Sequence, residues 1–352
     1  MATQTGTSTS KVSTEKVRTE QAGPVNAGGT ASAPPPKPSR SYGKVARLAG
    51  PPALLVVLVL AVSAVEPSFL GPGSLKVIAV QAVAILLLGL GEMFVILVGG
   101  IDLSAAAMAS FTGVLLATWL PSLGFLAVVL TVVCGTAAGL LAGAIAAYAQ
   151  VPSFIVTLGA LGFWAAIAQT VSGSSTIYVS QGYGLINWLF NLGIGGIPFG
   201  VIIAVALVAV LWAVLRYARR GQSFSIVGLN EQAALMSGLP TRRIKTLAYG
   251  LSGLLASLAG IVLTAQQQSA APGLADALLL PAIAAAVVGG CAITGGVGGP
   301  WRVLVGALIV VVLRVGSTAA GINPNYQQIV YGGVVVIAVV LTIDRSRLAI
   351  IK

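Results

Sequence analysis

The chain has 352 residues, of which 57% are hydrophobic and only 8% charged, and it carries 44 glycines. That composition excludes a soluble globular domain and reads as an all-α polytopic integral membrane protein. Nineteen Lys and Arg against eight Asp and Glu give a net charge of +11, but the basic residues sit at the ends of apolar runs, where they set orientation in a bilayer and do not mark a nucleic-acid partner.

Residues 1–42 are rich in Thr, Ser, Ala, Gly and Pro, include the PPPKP stretch at 34–38, and show no apolar periodicity, the pattern of a disordered tail. The tail lacks the apolar core of a signal peptide, so cleavage is not expected. Lys37, Arg40, Lys44 and Arg47 lead into the first apolar run and keep the tail in the cytoplasm.

A helix needs about 20 mainly apolar residues to cross the hydrocarbon. Within a transmembrane domain over residues 43–347, about ten stretches meet or approach that length: 48–65, with Pro51 and Pro52 setting its start, then 77–98, 105–120, 123–149, 154–171, 197–215, 246–265, 278–293, 303–320 and 326–343. With the tail inside, six crossings put the basic segment 216–245 inside, and four more put Arg345, Arg347 and Lys352 inside, the last in a cytoplasmic C-terminus at 348–352. Eight spans satisfy the same parity, so ten rests on length.

The residues GGIDLS, Gly99 to Ser104, join the second run to the third. An ionised carboxylate near a bilayer centre costs roughly 2.5–3.5 kcal/mol even on insertion scales, so one kept there has a task. Asp102 or Ser104 is placed to accept hydrogen bonds from the free N–H groups that begin the third span; contact with a permeating solute is the other reading. Glu92, inside the second span, must pair, face a wet cavity or be protonated.

Gly135, Gly139 and Gly143 recur every four residues on the fourth span, a contact within one bundle or between subunits. Cys134 and Cys291 read as isolated packing thiols. Without histidine, His-based catalysis and His metal sites are excluded, no catalytic dyad is visible, and no metal or cofactor is expected. Within the basic segment, Glu231 to Met236 form a short helix between Gly228 and Gly238. Asn230 can cap it and Glu231 sits in its first turn, where negative charge is favoured.

In combination, GGIDLS, the order Gly228, Asn230, Ala233-Ala234, Ser237-Gly238, and the downstream stretches YGLSGLLASLAGIVLTAQ from Tyr249, AIAAAVVGG from Ala282 and GGVGG at 295–299 resemble one family, from about Gly71 to Ile343. That family is the permease subunit of bacterial ATP-binding-cassette importers for ribose, xylose, galactose and related sugars, within the branched-chain amino acid and sugar permease superfamily. FIVTLG at 154–159 and INPNYQQ at 322–328 agree in place. Two departures stand out: Ala105 and Ala106 where the family usually has Val-Gly, and Arg314, Val315, Gly316 where many members have Arg-Asn-Gly.

The resemblance implies an inner-membrane protein that pairs with a second permease copy, receives a sugar from an extracytoplasmic binding protein and is driven by a cytoplasmic ATPase through the segment holding Gly228, Asn230, Glu231, Ala233, Ala234 and Gly238. Glu92, Gly99, Gly100, Asp102 and Ser104 then belong to a translocation or structural motif. The chain carries no GxxxxGK[ST] phosphate loop, so ATP hydrolysis is expected on a separate subunit. Neutral donors and aromatics suit an uncharged cargo, and Gln81, Ser110, Thr112, Thr157, Trp164 and Gln169 are available. Relatives on the same scaffold carry nucleosides, a furanosyl signalling molecule or branched-chain amino acids. An ion-coupled secondary transporter using Glu92 and Asp102 is a further reading, and it leaves the basic segment unexplained.

Overall fold

The structure, a computed structural model, describes residues 42–319 and a few positions between 321 and 333. The tail 1–41, nearly all of the tenth apolar run, INPNYQQ for the most part, and residues 348–352 lie outside the described residues.

In chain order the helices are α1 (Tyr42–Val65), α2 (Pro72–Leu97), α3 (Ala105–Leu123), α4 (Phe125–Tyr148), α5 (Ser153–Ser172), α6 (Gly184–Asn191), α7 (Phe199–Tyr217), α8 (Arg219–Leu229), α9 (Glu231–Met236), α10 (Thr241–Gln267), α11 (Leu279–Val288) and α12 (Pro300–Ala319). Four two-residue strands are interspersed: β1 (Ile177–Tyr178), β2 (Gly193–Ile194), β3 (Ile197–Pro198) and β4 (Ser269–Ala270). Seven of the described helices, α2, α3, α4, α5, α7, α10 and α12, are long and apolar enough to cross a membrane, and the apolar stretches Ala49–Val65 and Asp276–Val288 are shorter.

Two boundaries differ from the sequence reading. The first helix starts at Tyr42 and runs through Pro51 and Pro52; each proline removes one N–H bond and crowds the preceding turn, which a helix can absorb by bending instead of ending. The eighth run is helical only over the ten residues of α11, about 15 Å against a hydrocarbon core of about 30 Å. Residues 289–299 continue it as a non-helical stretch, with Gly289, Cys291, Gly295 and Gly296 buried and Thr294 and Val297 exposed, in which Gly290, Gly295 and Gly296 take φ of 104°, 90° and 78°.

The bundle is built around α2, 89% of whose apolar window is buried. α10 runs antiparallel beside it and packs on α4, α2 and α3; α11 and α12 cover another side of α2, and α1 lies on α12. Since lipid offers no hydrophobic drive between helices, close approach does the work. Gly135, Gly139 and Gly143 face α10, where an added Cβ would run into Ser257, Gly253, Tyr249 or Thr246. The glycine row is therefore a contact inside one chain.

One end of the bundle carries β1 paired antiparallel with β4, the β2–β3 hairpin, and α6. There Tyr183 Oη donates to the Ala265 carbonyl at 2.8 Å and Gln266 Nε2 to the Val80 carbonyl at 3.0 Å. The other end carries the turn 98–104, the α4–α5 turn and α8–α9.

Candidate functional site

The GGIDLS turn begins where α2 stops. Gly99 takes φ of 79°, a left-handed conformation that glycine adopts without steric penalty, and the Gly100 N–H reaches back to the Val95 carbonyl at 2.9 Å. Asp102 follows, 4% exposed. Its Oδ1 accepts the Ser104 N–H at 2.9 Å and the Ser104 hydroxyl at 2.6 Å, and its Oδ2 accepts the Ser252 hydroxyl of α10 at 2.7 Å. Asp102 thus tightens the entry into α3 and ties it to α10, while the Ser104 side chain makes no cap bond to the helix.

Glu92 is fully buried. Its Oε2 receives the Asp102 N–H at 3.5 Å, a weak bond, and its Oε1 has no partner. No basic side chain pairs with either carboxylate among the described residues. The same turn is held from α5, where the Ile101 N–H donates to Ser153 Oγ at 3.4 Å and the Ile101 carbonyl accepts from Thr157 Oγ1 at 3.3 Å. Glu92, Gly99, Gly100, Asp102 and Ser104 therefore gather at one place where α2, α3, α5 and α10 meet.

The segment between α7 and α10 contains two helices, where the sequence pattern marked one. α9 occupies Glu231–Met236 as expected, and Asn230 Oδ1 accepts the Ala233 N–H at 3.0 Å. Its end is a Schellman turn: Gly238 at φ 78°, Leu239 N–H to the Ala234 carbonyl at 3.1 Å and Gly238 N–H to the Leu235 carbonyl at 3.0 Å. Glu231 pairs with Lys245 at 2.6 Å. Ala233 is exposed and Ala234 buried.

The tip of α9 shows Leu235 and Met236, 62% and 87% exposed. Sequence reasoning missed both, although a six-residue helix cannot bury every apolar side it has. Beside α9 a cleft of about 790 Å³ opens between the Val98–Gly100 turn, residues 146–153 and the start of α10, with Arg242, Arg243 and Lys245 on its walls.

Gly228 sits apart from α9, in the last turn of α8. It packs against the Leu97 carbonyl and the Gly296 nitrogen. Gly295 and Gly296 thus meet Gly228, and Gly295 also lies against the Gly99 Cα.

The neutral polar residues marked for a sugar path are not brought together. Ser110, Thr112 and Thr157 are buried; Ser110 receives the Ala275 N–H at 2.9 Å and Thr112 bonds back to the Met108 carbonyl at 2.8 Å. Trp164 stacks on Phe111 with centroids 5.0 Å apart. Gln81 is half-buried, and Gln169 alone of the six is exposed. It lies on the open face of α5 with Gly159, Gly162, Phe163, Ala166 and Thr170.

Fold and site define a class first: a multi-pass helical membrane protein whose buried acidic turn is roofed, at the basic end, by an exposed helical segment. The chain belongs to the family described as "Branched-chain amino acid transport system / permease component", which matches residues 74–339. It is 34% identical over 309 residues to the ribose import permease protein RbsC of Bacillus subtilis (strain 168), covering 85% of this chain and 93% of that one. It is 30% identical over 310 residues to the L-arabinose ABC transporter permease protein AraH of Azospirillum brasilense, covering 86% and 90%. The galactose/methyl galactoside import permease protein MglC of Salmonella typhimurium (strain LT2) is 32% identical over 311 residues, covering 82% and 91%. No solved structure matches the chain significantly.

Proposed function

We propose that this chain is the membrane permease subunit of an ATP-binding-cassette importer for a monosaccharide, working as one of two permease copies in a bacterial inner membrane. The observation that carries the reading is the α8–α9 segment, a capped helix with exposed Leu235 and Met236 beside Arg242 and Arg243. Such an exposed apolar tip at a polar membrane face calls for a protein partner, and a separate ATPase fits, because the chain has no phosphate loop. The relatives are named for ribose, arabinose and galactose, which supports a sugar as cargo.

Arg216, Arg219, Arg220, Arg242, Arg243 and Lys245 gather at the α8–α9 end, which favours the cytoplasmic side for it. The opposite end, with Tyr178 78% exposed and α6, then faces the sugar-binding protein. Both termini follow to the cytoplasm. The sugar passes along α5, whose described face offers Gln169, Thr170 and Phe163 and no charged group. That neutrality speaks against an amino acid, whose ammonium and carboxylate both need partners, and the nucleoside and furanosyl readings are separated from sugars by the same assay.

The test is reconstitution with the cognate ATPase and binding protein in vesicles. ATP hydrolysis should rise when the binding protein carries a pentose or hexose, with labelled sugar entering the lumen. Stimulation by leucine or a nucleoside instead, or ATP hydrolysis by the permease alone, would overturn the assignment.

A further inference from the structure

Three glycine motifs far apart in the sequence converge at the α8–α9 end of the bundle. Leu97 closes α2, and its carbonyl accepts the Gly296 N–H at 3.0 Å. A Cβ on Gly228 would collide with that carbonyl and with the Gly296 nitrogen; one on Gly295 would meet the Gly228 carbonyl and the Gly99 Cα; one on Gly296 would strike Leu229. At Gly228 and Gly295 backbone meets backbone between α8, the end of α2 and the loop 289–299, with the Leu229 side chain on Gly296 and the Leu97 side chain against Gly298 beside them. One turn earlier, Phe224 of α8 meets Phe94 of α2 edge to face, with centroids 5.4 Å apart.

We propose that this contact is a joint through which the position of α8–α9 sets the position of the Asp102 turn, with the glycine-rich loop 289–299 as the wedge between them. The inference rests on the reading that α8–α9 meets the ATPase, and adds where a displacement of that segment goes. A contact between side chains absorbs a small shift by changing rotamers. Backbone packed on backbone has no rotamer to change, and a close-packed interior hardly compresses.

A displacement of α8 therefore moves Leu97 or the loop. The Gly99–Asp102 turn continues directly from Leu97, and it is bonded to α10 through Ser252 and to α5 through Ser153 and Thr157. The joint connects the segment at the basic end to the span assigned to the sugar. Gly228, Gly295 and Gly296 are positioning residues in this scheme and contact no sugar.

The test uses the full complex. In a background with Cys134 and Cys291 replaced by alanine, Leu229→Cys and Val297→Cys put a thiol on each side of the joint, and copper phenanthroline oxidises the pair. The expected result is a crosslink that leaves the ATPase bound while lowering binding-protein-stimulated ATP hydrolysis and uptake by roughly tenfold, the size of an ordinary coupling term. Dithiothreitol should restore both in the same sample, which shows that the fold is intact.

Full transport by the crosslinked complex overturns the joint. Gly228→Ala is the second arm: the ATPase should co-purify as before, while the ratio of sugar moved to ATP hydrolysed falls. An unchanged ratio counts against the proposal. Failure of the docking reading shows differently, as co-purification of the ATPase that is indifferent to charge reversal at Glu231 and to polar replacement of Leu235 and Met236.

Discussion

α5 and α7 are the two candidate spans least covered by the rest of the chain, with 11% and 17% of their apolar windows buried, yet they show opposite faces. α7 exposes Ile202, Ile203, Val205, Val210 and Val214, and finishes with Trp212 and Tyr217 packed edge to face beside Arg216. An apolar face closed by interfacial aromatics and a cation is what lipid requires. α5 exposes Phe154, Ile155 and Leu158 near its start, but further along come Gly159 and Gly162, with open space where a Cβ would stand, and then Gln169 and Thr170. Small and polar residues on an open face suit another helix or water better than lipid. Exposure in the single chain therefore has two meanings, and the residue types separate them.

The largest effect should come from filling the α5 face. Gly162→Trp meets no atom of its own chain near the new Cβ, so the protein should reach the membrane at normal level while uptake falls by roughly tenfold or more, equivalent to at least ~1.4 kcal/mol on the step it blocks. The matched change on α7, Val210→Trp at a position 57% exposed, should leave uptake within about twofold, since lipid yields to a large apolar side chain. Equal tolerance at both positions would break the contrast.

Asp102 sharpens the comparison from the buried side, because its turn anchors α5 and, among the described residues, makes no bond to α7. Asp102→Ala strands the Ser104 and Ser252 donors, a loss of about 1–3 kcal/mol. Asp102→Asn keeps one acceptor oxygen and should lose less. In purified protein the thermal midpoint should fall in the order wild type, Asn, Ala, with accessibility of a cysteine on α5 rising in the same order and one on α7 unchanged. If both variants match wild type in stability and both abolish uptake, the charge itself acts on the cargo.

How much of this was legible in the sequence follows from the range of each interaction. Hydropathy runs 77–98 and 154–171 fall close to α2 and α5 because a crossing is a local property of about 20 residues. α10 begins at Thr241, five residues before its apolar run, since Arg242, Arg243 and Lys245 are good helix formers that hydropathy discards. The Asn230 cap was readable because its partner, Ala233, lies three residues on. α8 was not: its buried Phe224 and Val227 make too short a stripe among polar residues to show a period.

The bond between Asp102 and Ser252 spans 150 positions, and the meeting of Gly228, Leu97 and Gly296 is as remote. No local pattern encodes such contacts. The glycines were visible as motifs, and the reason for each, a backbone pressed against it, appears only when the chain is folded. The same holds for the polar residues expected to line a path. Their types suit an uncharged solute, but Ser110 and Thr112 spend their hydroxyls on backbone groups within the bundle.

Thr157 offers the smallest and most discriminating test, because it lies on α5 opposite the open face. Its hydroxyl is fully buried and bonds to the carbonyls of Ser153 at 3.0 Å and Ile101 at 3.3 Å. Thr157→Val keeps the β-branched shape and removes the donor, leaving the Ile101 carbonyl short of one partner. The expected cost is about 0.5–1.5 kcal/mol of stability, the net worth of one hydrogen bond, seen as a small drop in thermal midpoint, with uptake within about twofold. A variant of undiminished stability that no longer moves sugar would place Thr157 in the path, and the division of α5 into a structural side and a transport side would fail at its simplest point.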